Sequence, residues 1–471
     1  MTISVGPVSD SIALWLSGRG LPATVAEILA VLLVCVLPVL GIVFPIAGVA
    51  QYFERKIAAS MQRRKGPMVG ATGIVDLVAD LAFFWLPRWK RRALARRVER
   101  LPILGAILRQ VRQWGLGSMA ADGVKMFLKE DMIPAGANRI LFQGSTYMAL
   151  TGAFLAFAVF PFSQWYHMGD PPVAALYLGA VTGLVAVSIL EAGWSSNNKW
   201  SYFGGIRSVA MIVSYETPLA LAIATVCMWS GTMSLQGIIA AQYHPGWLSF
   251  AGWNIFQSPL LTLLAGIYYI AALAECNRAP FDLSEGESEL VGGFHTEFSG
   301  LRWGLFFIAE YSDMLLIGGI FATLFLGGFQ SPIGEQWIVS LPPVAEAVVH
   351  TLIAVTKAVA SIGFMMWIRW TLPRFRIDQV MKLAWTKLVP LAIFCLFGLA
   401  VTQLLASSRT GVVQVVYGRY LSAPVVRLDL FSWAVSWALV GGGIGFLVWL
   451  AKRHAPVESN EMRRLVGKEV A

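Results

Sequence analysis

Nine long apolar stretches run through the chain, and they constrain its fold more than any other feature. A helix needs about 20 mostly apolar residues to cross roughly 30 Å of hydrocarbon, and here short polar or charged connections separate such stretches. Hydrophobic residues make up 57% of the 471 residues and charged residues only 13%, which is not the balance of a soluble domain. The sequence therefore predicts an all-α fold, a polytopic transmembrane helix bundle. The predicted spans are 25–50, 140–162, 173–190, 209–229, 255–273, 303–326, 344–368, 388–405 and 431–450.

Basic residues alternate between the two sides of this predicted bundle. The connection after the first span holds Arg55, Lys56, Arg63, Arg64 and Lys65, whereas the connections after the second, fourth and sixth spans hold no Lys or Arg. Because inward loops carry the excess of Lys and Arg, we predict that the N-terminus lies outside and the C-terminus in the cytoplasm. Residues 1–23 lack the basic n-region of a secretory signal, so we expect them to be retained.

One segment accounts for nearly all of the formal net charge of +9. Residues 88–112 contain nine basic residues against the single acidic residue Glu99, with bulky apolar residues between them. This pattern suits a helix that lies on an anionic inner leaflet or against a partner subunit, and a solvated charged linker is an equal alternative. Nucleic acid binding is not needed to explain the charge.

The four cysteines lie far apart, with no paired spacing. This predicts no zinc site, no iron–sulfur cluster and no disulfide framework. The chain also has no nicotinamide fingerprint and no flavin site, so we expect it to bind no cofactor and not to be a catalyst alone. Any electrons must come from a partner.

Several ionisable residues fall inside the apolar spans, where they are costly and commonly functional. Glu216 precedes Pro218, which loosens a helix, and Glu310 and Asp313 are three residues apart on one helix face. Lys357 lies near the middle of the seventh span. We interpret these residues as a proton route rather than as ion pairs that only fix helix packing, because acids outnumber the one deep base. Glu346, near a helix end, can simply reach the interface.

The connection after the fifth span is strongly acidic. Between Glu275 and Glu297 it carries six carboxyl groups against Arg278 alone. Crowding and burial both raise the pKa of a carboxyl group, so we expect some of these acids to hold protons near neutrality. Glycines beside Leu290, Val291 and Phe294 indicate a packed element rather than a solvated loop, and His295 alone is weak evidence for a site. The acidic residues are Glu275, Asp282, Glu285, Glu287, Glu289 and Glu297.

Over nearly all of residues 54–390, the chain resembles the H / subunit 1 family of respiratory complex I membrane proteins. No single motif that carries this resemblance is specific, but together they are. They are ERKIAASMQRRKGP at 54–67, ADGVKMFLKEDMIPAGANR at 121–139, AGWSSNNKW at 192–200, SYETPL at 214–219, the acidic connection, FFIAEYSDM at 306–314 and IRWTLPRFRIDQVMKLAW at 368–385.

The resemblance implies a quinone-binding membrane subunit of a proton-translocating NADH:quinone oxidoreductase in a bacterial inner membrane. Soluble quinone-module subunits and antiporter-like membrane subunits are the implied partners, with FMN and iron–sulfur clusters held by partners and quinone as the substrate. The implied quinone-tunnel residues are Glu54, Arg55, Arg64, Arg278, Phe281 and Asp282. The implied proton path comprises Glu130, Glu216, Glu275, Glu285, Glu287, Glu289, Glu297 and Glu310, with Lys357 added from its depth. Arg207, Lys357, Arg369 and Arg374 also match family positions.

The sequence departs from the family pattern at several points. Met68 stands where the family usually has Asn, and Met211 where it has Gln. The basic insert divides a normally continuous segment, so either Asp80 or Asp122 takes the role of the family's aspartate, with Asp122 in the better match. The family normally ends after eight helices. We therefore divide the chain into a family-like domain at 1–406 and an extension at 407–471 that contains a ninth helix.

Two other functions compete with this interpretation. The related membrane subunit of membrane-bound hydrogenases is disfavoured, because its acidic connection has a different pattern richer in His and Met. A stand-alone secondary transporter is suggested by intramembrane acids and a Pro-interrupted helix, but it predicts inverted repeats, which this sequence does not show.

Overall fold

The computed structural model describes residues 17–18, 22, 25–26, 39–64, 66–67, 117–244, 246–283, 286–410, 413–417, 421–425, 428–443 and 445. The helices are α1 (Phe44–Met61), α2 (Gly117–Leu128), α3 (Arg139–Ala156), α4 (Ala174–Ser195), α5 (Lys199–Ser230), α6 (Leu235–Ala241), α7 (Asn254–Gln257), α8 (Pro259–Glu275), α9 (Glu287–Leu290), α10 (Gly300–Phe325), α11 (Glu335–Val339), α12 (Pro343–Thr371), α13 (Ile377–Leu383), α14 (Val389–Thr410) and α15 (Leu430–Gly443). The π-helical turns Val39–Val43 and Ala384–Leu388 precede α1 and α14, and the 3-10 turns are Phe157–Val159, Ser249–Gly252 and Gly293–His295.

Six of these helices are long and apolar enough to cross a membrane, counting Ile377–Arg409 as one, and the prediction of an all-α membrane bundle is confirmed. The predicted second to eighth spans overlap α3, α4, α5, α8, α10, α12 and α14, and the ninth overlaps α15; α8 and α15 are shorter apolar helices that are not among the six. Of the predicted first span, residues 25–26 and 39–50 are described. The predicted basic insert at 88–112 and Asp80 lie outside the described residues.

Local sequence explains where several helices begin and end. Asn138 and Asn198 accept hydrogen bonds from the first backbone N–H groups of α3 and α5, and Ser258 caps α8 just before a Pro at its first position, as good N-caps do. Gly231 ends α5 in the left-handed conformation. Because of the Asn198 cap, α5 begins ten residues before the predicted boundary at 209, so Glu216 lies near its middle.

The helices pack into one bundle in which α5 lies against α4, α8 and α14, and α10 lies against α1, α3 and α12. Large side chains fill the core between them, including Met211, Tyr215, Tyr268 and Phe325. Met211 is fully buried among apolar residues, so the departure from the family's Gln places an apolar side chain in an apolar site. This packing brings the acidic connection and the ends of α1, α10 and α12 to the same side of the molecule.

The C-terminal extension contains an antiparallel hairpin that the sequence did not predict. Strand β1 (Val413–Tyr417) pairs with β2 (Leu421–Val425), with Val415 opposite Ala423. The hairpin lies beside α6, and α15 then packs against α14, where the Leu439 side chain approaches Gly398. Arg409 joins the two helices, because its guanidinium lies over the Phe431 ring at 4.0 Å.

Candidate functional site

A buried ion cluster lies where α1, α10, α12 and the acidic connection meet. Arg278 is 4% exposed, and its guanidinium lies 3.1 Å from Glu310 and 3.9 Å from Glu54. Glu54 also accepts hydrogen bonds from Arg369 and, at 2.5 Å, from the Tyr311 hydroxyl. Two guanidinium groups thus share two carboxylates, which offsets the large cost of burying each charge alone.

Aromatic groups and a histidine complete this cluster. The Arg278 guanidinium lies over the Tyr311 ring at 4.6 Å, and His295 Nε2 lies 3.5 Å from Glu310. The imidazole stacks on Phe307 with a centroid distance of 5.6 Å. A side chain that was weak evidence in the sequence therefore lies beside a carboxylate of the cluster.

A cavity of about 970 Å³ opens beside the cluster. Its walls include Asp282, His295, Arg369 and Arg374, together with the apolar groups of Trp303 and Phe307. The size and the mixture of a few convergent polar groups with aromatic walls are typical of small-molecule sites.

Glycine backbone shapes one wall of this cavity. The Arg374 guanidinium covers Gly286 so closely that any side chain at this position would collide with it. Val291 has a φ of +66° and is 65% exposed. Within the predicted packed element, the positive φ of Val291 turns its side chain towards the cavity, which it lines. Leu290 and Phe294 are buried as predicted.

Close backbone contact holds the acidic connection on α5. A Cβ atom added to Gly204 would lie 2.7 Å from the Cα of Gly293, so two glycines allow the 3-10 turn to touch the helix. Ser201 donates to the Phe294 carbonyl oxygen at 3.0 Å, and Ser208 donates to Asn277 at 2.9 Å. The acidic connection is therefore packed, as predicted, and its contacts with α5 fix its position beside the cavity.

A line of carboxyl groups leads from the cluster into the bundle. Asp313 lies within electrostatic range of Glu310 and Glu275, and Glu275 lies within range of Glu216. Both carboxylate oxygens of Glu275 are buried. Pro218 stands inside α5, where it cannot donate to the Ser214 carbonyl oxygen. The result is a sequence of neighbouring acids that connects α10, α8 and α5.

A second, smaller cavity of about 310 Å³ lies next to the first, and Phe298 and Trp303 line both. It is lined by Arg55, Asp122, Lys125 and Lys129, with Arg55 Nη1 at 2.6 Å from Asp122. Of the two candidate aspartates, Asp122 therefore has a described partner among the predicted tunnel residues. Phe281 instead lines an apolar groove of about 520 Å³ with Tyr269, Phe364 and Phe375.

The remaining predicted residues lie away from the cluster. Arg64 and Glu130 are exposed, and Glu297 accepts a hydrogen bond from Asn198 at 2.6 Å. Glu285 lies outside the described residues, as does the side chain of Glu287. Glu289 pairs with Arg207 at 2.7 Å, and the hydrogen bond and charge of Arg207 lower its pKa. The expectation of a raised pKa is therefore wrong for Glu289, because a basic partner from α5 outweighs the acidic neighbours.

Lys357 lies near the middle of α12, about halfway between its two ends. Its ammonium group donates to the carbonyl oxygens of Leu326, Gly328 and Gln330 at 2.6 to 2.8 Å, and it lies 4.2 Å from the Trp253 ring centroid. Lys357 thus binds the segment after α10, and the structure does not bring it together with the acids around Arg278.

Three residues of the cluster were absent from the predicted tunnel and path: Tyr311, His295 and Arg369. Tyr311 lies in the FFIAEYSDM motif and Arg369 in IRWTLPRFRIDQ, so both residues belong to motifs that the sequence analysis identified. Their contacts with Glu54 could not be predicted, because Glu54 is 257 and 315 residues away along the chain. Among the described residues, no three His, Cys, Asp or Glu side chains are grouped to hold a metal ion.

The chain is similar to proteins of known name over most of its length. A family model described as NADH dehydrogenase matches residues 31–86 and 81–400. The H subunit of the NADH-quinone oxidoreductase of Anaeromyxobacter dehalogenans (strain 2CP-C) is 39% identical over 348 residues, which cover 72% of this chain and 82% of that protein. The same subunits of Chlorobium luteolum and Chlorobaculum tepidum are 38% and 37% identical, over 77% and 78% of this chain and 87% and 90% of those proteins.

Proposed function

This chain belongs to the NADH dehydrogenase family of NADH-quinone oxidoreductase membrane subunits, and from that premise we propose that it binds the quinone and begins the proton path. It is a multi-pass membrane protein and one part of a multi-subunit enzyme complex, not a catalyst by itself. The proposal adds what the quinone touches and where protons move.

The single observation that carries the proposal is the contact between the large cavity and the buried ion cluster. His295 and Arg369 belong to both. A headgroup in the cavity therefore lies one side chain away from Glu54 and Glu310. Any charge that develops on the headgroup acts on these buried groups with little screening by water.

Reduction of a quinone to a quinol consumes two electrons and two protons. Partner subunits supply the electrons, since FMN and iron–sulfur clusters are expected there. Asp282 and His295 line the cavity and are titratable, so they are the proton donors that we assign. The guanidinium groups of Arg369 and Arg374 hold the carbonyl oxygens of the headgroup and stabilise negative charge on them.

Loss of protons from the cavity side changes the charge balance of the ion cluster. A proton that leaves His295 can be replaced by one from Glu310. Glu310 then lacks a proton, and this vacancy passes to Asp313, Glu275 and Glu216 as neighbouring carboxyl groups exchange protons. Since the Glu275 oxygens are buried, an uncompensated charge there is costly, which favours proton movement along the line. Antiporter-like partner subunits would receive this signal.

Three further assignments rest on the same premise. We infer an N-terminus outside and a cytoplasmic C-terminus in a bacterial inner membrane, from the distribution of Lys and Arg. Arg55, with Asp122, lines the route that leads a quinone tail past the smaller cavity. Phe281 supports Asp282 from the apolar side, where it contacts Tyr215 and Phe375.

The substitution Asp282→Asn tests the proposed site. It keeps the size of the side chain but removes a proton donor at the headgroup, so we expect NADH:quinone turnover to fall by roughly 10²-fold or more. Electron transfer from NADH to an artificial acceptor that bypasses the quinone should stay near the wild-type rate. Asp170→Asn is the matched control, because Asp170 pairs with Ser234 away from the cavity. Unchanged quinone turnover in Asp282→Asn would contradict the assignment.

A further inference from the structure

A second group of buried ionisable side chains lies at the end of the bundle opposite the cavity. His350 and Glu346 stand on α12, and Glu335 begins α11. His350 and Glu335 are both 0% exposed, and Glu346 is 3% exposed. His350 precedes Arg369 by 19 residues on one helix, so the two ends are about 28 Å apart at 1.5 Å per residue. The expectation that Glu346 simply reaches the interface is therefore wrong.

The imidazole faces a carboxylate on each side, but at unequal distances. Its Nε2 lies 3.0 Å from Glu335 Oε1, and its Nδ1 lies 3.7 Å from Glu346 Oε1. The first distance is a hydrogen bond, whereas the second is too long for one. Nδ1 and this oxygen are both buried without a hydrogen-bond partner, and they point towards each other.

Each of the two contacts needs one proton between a nitrogen and an oxygen. A neutral imidazole carries one proton, which lies on Nε2 and forms the hydrogen bond to Glu335. The Nδ1 lone pair then faces a lone pair of the Glu346 carboxylate, and the 3.7 Å separation matches that arrangement. One additional proton, on Nδ1 or on Glu346, converts the repulsion into a second hydrogen bond. We propose that His350, Glu335 and Glu346 form a proton-binding site that takes up one proton at this end of the bundle.

The surroundings keep both acids in place for this role. The other oxygen of Glu346 accepts from the Trp165 indole at 2.8 Å, and Glu335 Oε2 accepts from the Ser331 backbone N–H at 2.5 Å. The titratable groups that face the site are Lys357 on α12 and the Tyr243 hydroxyl after α6, both within electrostatic range of Glu335. On the segment that carries Trp165, His167 and Asp170 interact with each other.

The site controls the segment that joins α10 to α12. Glu335 holds Ser331, and Lys357 holds the carbonyl oxygens of Leu326, Gly328 and Gln330 in the same segment. Protonation therefore acts on one end of each of the two helices that carry the cluster residues Glu310, inside α10, and Arg369, near the other end of α12. A change of pH on this side of the membrane therefore affects α10 and α12.

Infrared difference spectra of the purified whole complex in lipid, recorded as the pH of the perfusing buffer is cycled between about 5 and 9, test the site. In the wild type, one imidazole and one carboxyl band should titrate together, because they share the proton. His350→Gln should remove both bands. Glu346→Gln should remove the carboxyl band and shift the imidazole titration, while its amide oxygen still accepts from Trp165.

Glu191 is a partly buried residue near the end of α4. Glu191→Gln is therefore the control for a glutamine in place of a helix carboxyl group, and it should leave the paired bands unchanged. If His350→Gln does not assemble, Glu346→Gln decides alone. An imidazole titration that is identical in Glu346→Gln and wild type overturns the proposal, as does a His350→Gln spectrum that has lost no imidazole band. The readout does not involve quinone turnover, so it stands or falls separately from the proposed quinone site.

Discussion

Arg278 is the residue on which the candidate site depends most. It lies between Glu54 and Glu310 and is nearly fully buried. Without it, the Glu54 and Glu310 carboxylates would keep Arg369, Tyr311 and His295 as their described partners and lose the guanidinium that lies between them. Breaking a buried pair in this way commonly costs about 3–5 kcal/mol, because the remaining charge is left without compensation.

We therefore predict that Arg278→Met destabilises the subunit by about 3–5 kcal/mol and lowers the temperature at which the complex dissociates. Arg207→Met is the matched control, since the bridge of Arg207 to Glu289 is solvent-exposed and contributes little to stability. Thermal dissociation of the purified complex, followed by native electrophoresis, measures both variants. Equal midpoints for the two variants would show that the cluster does not hold the fold together.

The resemblance predicted the acids and Arg278 of this site, but not how they pair. Glu54, Arg278 and Glu310 could be named because each sits in a recognisable motif. The closing contacts of Tyr311 and Arg369 with Glu54 join α1 to α10 and α12, and the spacing of residues within one helix cannot indicate them. For Lys357, the sequence predicted the position near the middle of the helix but not the partners, which are carbonyl oxygens of the segment after α10.

Among the elements, α5 and the acidic connection determine the position of the site. Apolar length predicted α5, but its first ten residues are polar enough to be missed, and the Asn198 cap is what extends the helix. The hairpin 413–425 was missed because each of its strands has only five residues. The contact of Gly204 with Gly293 could not be predicted from the sequence, because it depends on how two segments that are distant along the chain approach each other.

Gly204→Ala tests this contact. The added methyl group would meet backbone atoms of Gly293 and Phe294 at 2.7 to 2.9 Å, and backbone cannot move aside as a flexible side chain does. We expect a loss of about 1–3 kcal/mol in stability and a lower quinone affinity, because the wall of the cavity shifts with the 3-10 turn. Thermal dissociation and the quinone KM report the two effects.

Gly183→Ala is the matched control within α4, where an added Cβ meets nothing within 4 Å. In that variant, stability should stay equal or rise by up to about 1 kcal/mol, because Ala favours a helix over Gly. A Gly204→Ala complex as stable as Gly183→Ala, with an unchanged KM, would refute the proposed role of this glycine pair.

For the whole molecule, the membrane bundle has polar sites at both ends and a line of acids within it. The cavity lies at the end that carries Arg369, His350 lies towards the other end of the same helix, and Lys357 lies between them. Composition alone predicted the bundle, and the distribution of basic residues predicted its orientation. The domain boundary at 407 remains a prediction, although α14 runs through it to Thr410 without interruption.

The orientation predicts where the C-terminus lies. If α15 is the beginning of a ninth span, a reporter fused after Ala471 should be cytoplasmic, on the same side as a reporter placed in the basic insert near Arg88. Alkaline phosphatase, active only outside, and green fluorescent protein, fluorescent only inside, measure this in intact cells. Phosphatase activity from the C-terminal fusion would refute the nine-helix arrangement.

The most direct test of the central claim, that quinone reduction is linked to proton movement through the line of acids, is the substitution Glu216→Gln. This change preserves shape and hydrogen bonding but abolishes titration at the far end of the line, so the complex should still assemble. NADH:quinone turnover and proton uptake are measured together in sealed vesicles, with Glu191→Gln as the control. We predict that both fall by about tenfold or more in Glu216→Gln, with proton uptake reduced at least as far as turnover, and that the control behaves as the wild type. Wild-type turnover and proton uptake in Glu216→Gln would contradict the account and leave these acids with a role in packing alone.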